Sequence, residues 1–136
     1  MTAAANVIVV DDDIDHALIV RLVLSRVAPE ASIDVMTDPR ALAQRLMEAP
    51  HDALVFMDRQ LDGRDGIDLL PLLRAERPDL RTVLLSAALP EVDRLRALAA
   101  GAYAATEKPS SLVGWQHLVE SMLGAGVGVP ARTHAA

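Results

Sequence analysis

The sequence predicts an α/β domain with a doubly wound, five-stranded parallel sheet and five helices. Three observations predict it. Short apolar runs alternate five times with longer stretches of helical period, and such alternation implies a parallel sheet with helices on both faces. The first run, Val7 to Val10, is β-branched and continuous rather than alternating, as in strands buried on both faces. Right-handed crossovers then restrict the topology to a doubly wound arrangement.

Val7-Ile8-Val9-Val10 reads as the first strand and ends at acids. Ile14 to Ala28 reads as a helix stopped by Pro29. Ser32 to Met36 alternates and is β-branched, so it reads as the second strand. Asp38-Pro39 has the form of an N-cap with proline in the first helical position, and a helix through Leu42, Leu46 and Met47 to Pro50 follows. Ala53 to Met57 is the third strand, ending at Asp58. Asp62-Gly63-Arg64-Asp65-Gly66 is loop chemistry.

A third helix spans Ile67 to Glu76, with Pro71 placed near its first turn. Thr82 to Leu85 is the fourth strand, ending at Ser86. A fourth helix runs from Pro90 to Ala100 and is closed by Gly101 as a C-cap. Ala102 to Thr106 is a short fifth strand ending near Lys108-Pro109. Ser110 or Ser111 caps a fifth helix, whose Leu112, Trp115, Leu118, Val119 and Met122 share one arc. Residues 1–123 are expected to form one domain. The Gly-rich stretch 124–136 is expected to be a flexible tail; its Gly124-Ala125-Gly126-Val127-Gly128 mimics a nucleotide loop but follows a helix, not a strand.

Composition removes several function classes. Thirteen Lys and Arg stand against 19 Asp and Glu, a net charge of −6, so no basic surface is expected for nucleic acid. There is no cysteine, which excludes disulfides, thiolate metal sites and a thiol nucleophile. No apolar run reaches the ~18 residues of a membrane span, and Met1 to Asn6 lacks the features of a signal peptide. The expectation is a cytoplasmic protein with no membrane insertion and no nucleic-acid partner. His16, His51, His117 and His134 show no metal-ligand spacing and read as surface or edge residues.

In doubly wound sheets ligands sit at the carboxyl ends of the strands. Asp11, Asp12 and Asp13 follow the first strand, Asp58 the third, Ser86 the fourth and Lys108 the fifth. Several carboxylates in one pocket repel each other. Mg²⁺ removes that repulsion and is satisfied by a few carboxylates, waters and phosphate oxygens. A lysine and a hydroxyl beside such a site suit a phosphoryl group, and a carboxylate can itself attack phosphorus. The residues therefore point to an aspartate that accepts a phosphoryl group with Mg²⁺. Taken singly, these groups have plainer readings: an acidic helix cap, a loop aspartate, a strand-end serine and a surface lysine.

In this order the motifs resemble the receiver domain of bacterial two-component response regulators, over roughly residues 6–123. Val9-Val10-Asp11-Asp12-Asp13 resembles the family's acidic pair. Met57-Asp58 with Gly63 and Gly66 resembles its phosphoacceptor loop. Leu84-Leu85-Ser86-Ala87 resembles its Thr/Ser-Ala signature, and Gly101-Ala102 with Lys108-Pro109 its last strand and lysine-proline pair. The resemblance implies a flavodoxin-like (CheY-like) fold with strand order 2-1-3-4-5.

It also implies roles: Asp58 as phosphoacceptor, Asp12 as a direct Mg²⁺ ligand, Asp11 as a helper, and Gln60 as the donor of a backbone carbonyl to the metal. Ser86 would bond the phosphoryl oxygens. Lys108 would pair with Asp58 before phosphorylation and with the phosphoryl group after it. The Lys108–Pro109 bond would be cis. The partners implied are a sensor histidine kinase or a histidine phosphotransfer protein, and a downstream protein target. With no effector domain after Leu123 in this sequence, output by protein contact is the expectation.

The sequence departs from the family pattern twice. Asp62 stands where the family has proline. Ala105 stands where it often has a switch aromatic, with Tyr103 two residues earlier on the same strand face. The second departure bears on the serine–aromatic coupling and leaves the phosphorylation chemistry intact. Gln60 and Ala88 occupy positions at which the family tunes the lifetime of its phosphoryl group.

On the first helix, His16, Ala17, Ile19, Val20, Val23, Leu24 and Val27 make a core-facing arc at ~100° per residue. Ile14, Leu18 and Leu22 fall outside it and form a candidate partner-docking stripe. Two other functions compete. A haloacid dehalogenase-type phosphatase or phosphotransferase uses a similar strand-end set, but it wants a second aspartate where Gln60 stands. A degenerate receiver would act only as a binding module.

Overall fold

The computed structural model describes residues 5–123. Five parallel strands form the sheet: β1 (Asn6–Val10), β2 (Ser32–Met36), β3 (Leu54–Asp58), β6 (Arg81–Ser86) and β7 (Ala104–Glu107). Their order is β2-β1-β3-β6-β7. Between β3 and β6 a two-residue hairpin, β4 (Gln60–Leu61) with β5 (Arg64–Asp65), occupies the stretch expected to be plain loop. With the hairpin set aside, the order is the expected 2-1-3-4-5.

The strand pleat decides what each face buries. Val7, Val9, Leu54, Phe56, Val83 and Leu85 point to one face, where α1 (Ile14–Val27) and α5 (Leu112–Met122) cover them with Val20, Leu24, Trp115 and Val119. Ile8, Val10, Val55, Met57 and Leu84 point to the other. There α2 (Leu42–Met47), α3 (Gly66–Glu76) and α4 (Glu91–Ala100) supply Leu42, Leu46, Ile67, Leu70, Leu73 and Ala97. Every residue of β3 is buried, as a central strand flanked by two layers requires.

Helix ends follow local chemistry. Asp13 caps α1 through bonds to the amides of Asp15 and His16, Asp65 caps α3 at Ile67, and Ser111 caps α5 at Gly114. Gly101 ends α4 at φ +122°, a conformation that favours glycine. The second helix differs from its expected form. Residues Pro39–Ala41 make a 3₁₀ turn, and Asp38 accepts from Arg40 N rather than capping α2. Pro71 lies inside α3, not in its first turn. It is solvent-exposed there, and it leaves the Ile67 carbonyl without its helical donor.

Ile14, Leu18 and Leu22 are 60%, 53% and 49% exposed, so they are not core. Ile19, expected in the buried arc, is exposed as well, while Ala17, Val20, Val23 and Leu24 are buried. In α5, Leu112 turns outward and Trp115, Val119 and Met122 turn inward. The Gly-rich stretch from Gly124 lies outside the described residues.

Candidate functional site at the strand ends

β1 and β3 are adjacent and in register, with Val10 opposite Met57. Their next residues, Asp11 and Asp58, therefore emerge side by side. Asp11, Asp12 and Asp58 each offer an oxygen within 4.8 Å of the others. Asp11 and Asp58 are buried and Asp12 is exposed. Burial pushes the Asp11 carboxyl above its ordinary value; the Asp13 amide opposes that shift and the neighbouring Asp58 adds to it. A hard cation with oxygen ligands suits this donor set, because it offsets both the desolvation and the repulsion.

Lys108 follows β7 on the far edge of the sheet and reaches back across it. Its Nζ is 3.2 Å from Asp58 Oδ1 and 4.0 Å from Asp11 Oδ2. Its backbone N donates to Ser86 O at 2.8 Å, which fixes where the side chain starts. Asp58 Oδ1 also accepts from Gln60 N at 3.3 Å. Lys108 and the Gln60 amide thus meet the same oxygen of this carboxylate. Asp12 Oδ2 accepts from Asp62 N at 2.8 Å, tying the hairpin to the acidic pair.

Ser86 is buried at the end of β6, and its hydroxyl donates to Ala88 O at 2.7 Å. The fold thus brings Asp11, Asp12, Asp58, Gln60, Ser86 and Lys108 to one edge. The expected cis bond at Pro109 is not found: every peptide bond among the described residues is trans. The trans isomer of an X–Pro bond is favoured by about 0.5–1 kcal/mol, and Lys108 reaches Asp58 with it in place.

Sequence reasoning missed His16. Its Nδ1 lies 3.1 Å from Asp11 Oδ2 and 2.9 Å from Lys108 Nζ, and its ring stands edge-on to Trp115 at 6.0 Å. The available signal was its place in the first turn of the helix that follows Asp11 to Asp13. Arg59 was missed too. It is 15% exposed and pairs with both Asp65 and Asp93. Tyr103 does not stand in for the absent aromatic. Its ring lies beside Arg81, at the start of β6, about 16 Å along the strand from Ser86 at ~3.3 Å per residue.

Comparison with known proteins gives the class. The family model described as the response regulator receiver domain matches residues 7–120. The chain belongs to that family, whose members are phosphoacceptor switches. It is 32% identical over 109 residues to the DNA-binding transcriptional regulator NtrC of Rhizobium meliloti (strain 1021), covering 79% of this chain and 22% of that protein. The corresponding figures for NtrC of Azospirillum brasilense are 29% over 122 residues, 89% and 24%.

The chain thus spans about a quarter of the length of these curated relatives. A receiver domain structure from Rhodospirillum rubrum superposes with a TM-score of 0.78 at 20% identity, over 93% of this chain and 98% of that one. A CheY-like receiver from Methanospirillum hungatei JF-1 gives 0.74 at 17%, over 90% and 95%. At such identities these structures speak to the fold. Family membership, together with Gln60 at the position where a dehalogenase-type enzyme needs an acid, disfavours the phosphatase alternative.

Proposed function

We propose that Asp58 is the phosphoacceptor and that a partner phosphohistidine is the donor. The observation that carries this reading is the 3.2 Å contact between Lys108 Nζ and Asp58 Oδ1, inside a cluster of three carboxylates. Asp11, Asp12, Asp58 and the carbonyl of Gln60 would hold Mg²⁺, which when bound neutralises charge on the incoming phosphoryl oxygens.

The chain's own groups do the rest. Lys108 and the Gln60 amide hold one Asp58 oxygen, which orients the other toward phosphorus. A new P–O bond forms to Asp58 as the P–N bond to the donor imidazole breaks, and the electron pair returns to that nitrogen. The transferred group carries charge that Lys108 pairs with. The Ser86 hydroxyl leaves Ala88 O to donate to a phosphoryl oxygen. Apart from transferring and losing its own phosphate, the domain acts as a switch rather than a turnover enzyme.

Ile14, Leu18 and Leu22 on α1 are the proposed docking stripe for the histidine kinase or histidine phosphotransfer protein. Ile14 directly follows the Asp13 cap, and Leu22 shares a groove with exposed Leu112 of α5. Among the described residues no helix is long and apolar enough to cross a membrane.

Intact mass measured after incubation with Mg²⁺ and acetyl phosphate or phosphoramidate tests the reading. A stoichiometric phosphate adduct, absent in Asp58→Asn, is expected. Turnover of phosphomonoesters would return the enzyme alternative, and neither adduct nor turnover would leave a binding module.

A further inference from the structure

Arg59, the residue directly after Asp58, connects three elements. Its backbone N donates to Leu85 O at 2.7 Å and its carbonyl accepts from Gly66 N, so its backbone is locked between β6 and the start of α3. Its guanidinium grips Asp65 with two bonds of 3.1 Å, from Nε and Nη2. Asp65 is the N-cap of α3, so this half of the contact is anchored in a rigid turn. The remaining arm, Nη1, donates to Asp93 Oδ2 at 3.0 Å. Asp93 belongs to the first turn of α4.

The two halves are unequal. The fork on Asp65 is bidentate and therefore geometrically fixed. The Asp93 contact is a single bond, and Asp93 has a second partner, Arg96 Nη1, at 3.1 Å on its other oxygen. If α4 moves relative to the sheet, the Asp93 contact is the one that gives. The first turn of α4 also lies just beyond Ala88, the residue whose carbonyl holds the Ser86 hydroxyl. Leu89 in between is held by its amide on Glu107. Withdrawal of Ser86 toward a phosphoryl group thus frees one side of the segment leading into α4, and Arg59–Asp93 remains as the tie on the other.

We propose that Arg59 is the positioning residue through which the state of Asp58 is read at α4, the Arg59–Asp93 pair holding α4 in its resting position. The pair does work that a switch aromatic cannot do here, since position 105 is a buried alanine. This inference rests on the phosphoacceptor reading above.

The test is NMR of the full chain, with the amides of Val92, Arg94 and Leu95 as reporters and Mg²⁺ plus phosphoramidate as the probe. Intact mass of the same samples reports phosphate on Asp58 independently. Wild-type reporters are expected to shift on phosphorylation. In Asp93→Asn the unphosphorylated reporters are expected to lie part of the way toward the phosphorylated positions, a roughly three-fold change in the ratio of the two α4 states for a partly exposed ion pair. The adduct should form to the wild-type extent.

Asp93→Glu, which keeps a carboxylate, should return the reporters toward the resting positions. Arg96→Gln, which removes only the second partner, should not mimic Asp93→Asn. Reporter positions in Asp93→Asn identical to wild type, with and without phosphate, overturn the inference while a normal adduct leaves the phosphoacceptor reading standing. Absence of the adduct in wild type removes that reading, and the inference with it.

Discussion

Lys108 and His16, 92 residues apart, meet with Nζ 2.9 Å from Nδ1. The same ring nitrogen lies 3.1 Å from Asp11 Oδ2. One nitrogen cannot donate to the carboxylate and accept from the ammonium at once. The tautomer of the His16 ring therefore decides which of the two contacts is a hydrogen bond.

Removing the His16 nitrogens should show how far buried Asp11 depends on this partner. In His16→Phe the ring can still pack on Trp115, but Asp11 loses its histidine partner. Without Mg²⁺, the variant is expected to be less stable at neutral pH by roughly 1–3 kcal/mol, the cost of an unsatisfied buried polar group. With saturating Mg²⁺ the difference should shrink, because the cation replaces the lost partner. Urea denaturation in the two conditions checks this; an equal penalty in both would show that Asp11 does not need His16.

The Arg59 cluster sets an acid dependence. Its hydrogen bond lowers the Asp93 carboxyl, and against the opposing pull of burial the Arg59 fork also lowers Asp65. A depressed folded-state value means the unfolded chain binds protons first as pH falls. The stabilisation is then present above the ordinary value of 3.8 and lost as pH drops below it. Arg59→Met should destabilise the domain at neutral pH and progressively less below 3.8. Urea midpoints across that range decide; a penalty unchanged in acid would contradict it.

Gly66 marks a close approach. A Cβ there would stand 3.0 Å from Asp58 O, 3.1 Å from Leu84 Cδ1 and 3.2 Å from Arg59 Cα. Two of the three neighbours are backbone and cannot step aside cheaply. Gly66→Ala is expected to cost about 1–3 kcal/mol through overpacking and to slow adduct formation, because the displaced backbone carries Asp58. Thermal melts and the time course of the mass adduct measure both effects, and wild-type values for each would refute the argument.

Leu18→Glu places a charge in the middle of the exposed α1 row without touching the core. Transfer from a phosphohistidine partner should fall at least ~10-fold, as expected when an apolar interface anchor becomes charged. Transfer from phosphoramidate should hold. Equal losses with both donors, or no loss with either, would show that this row is not the docking surface.

The parts of the fold that were legible in the sequence are those fixed by local chemistry. Continuous apolar runs mark β1 and β3 because both faces are covered, and Gly101 and Ser111 mark helix ends because few other residues serve there. The groups at the strand ends were legible because a parallel sheet delivers them to one edge. His16 and Arg59 were not, since what defines them is a neighbour far along the chain: Lys108 for one, Asp93 for the other. The geometry of Lys108–Pro109 depended on a family habit rather than on the residues present. Likewise the break in the second helix follows from how Asp38 spends its side chain, which spacing does not reveal.

Asp62 adopts φ +50° and Gly63 φ +79° at the tip of the β4–β5 hairpin, and the Asp62 amide bonds Asp12. Proline, held near φ −65° and lacking that N–H, fits neither demand. Asp62, where the resemblance led one to expect proline, is accordingly the residue this loop's backbone requires. Asp62→Pro would undo the bend and cut the stitch between the hairpin and the acidic pair in one stroke.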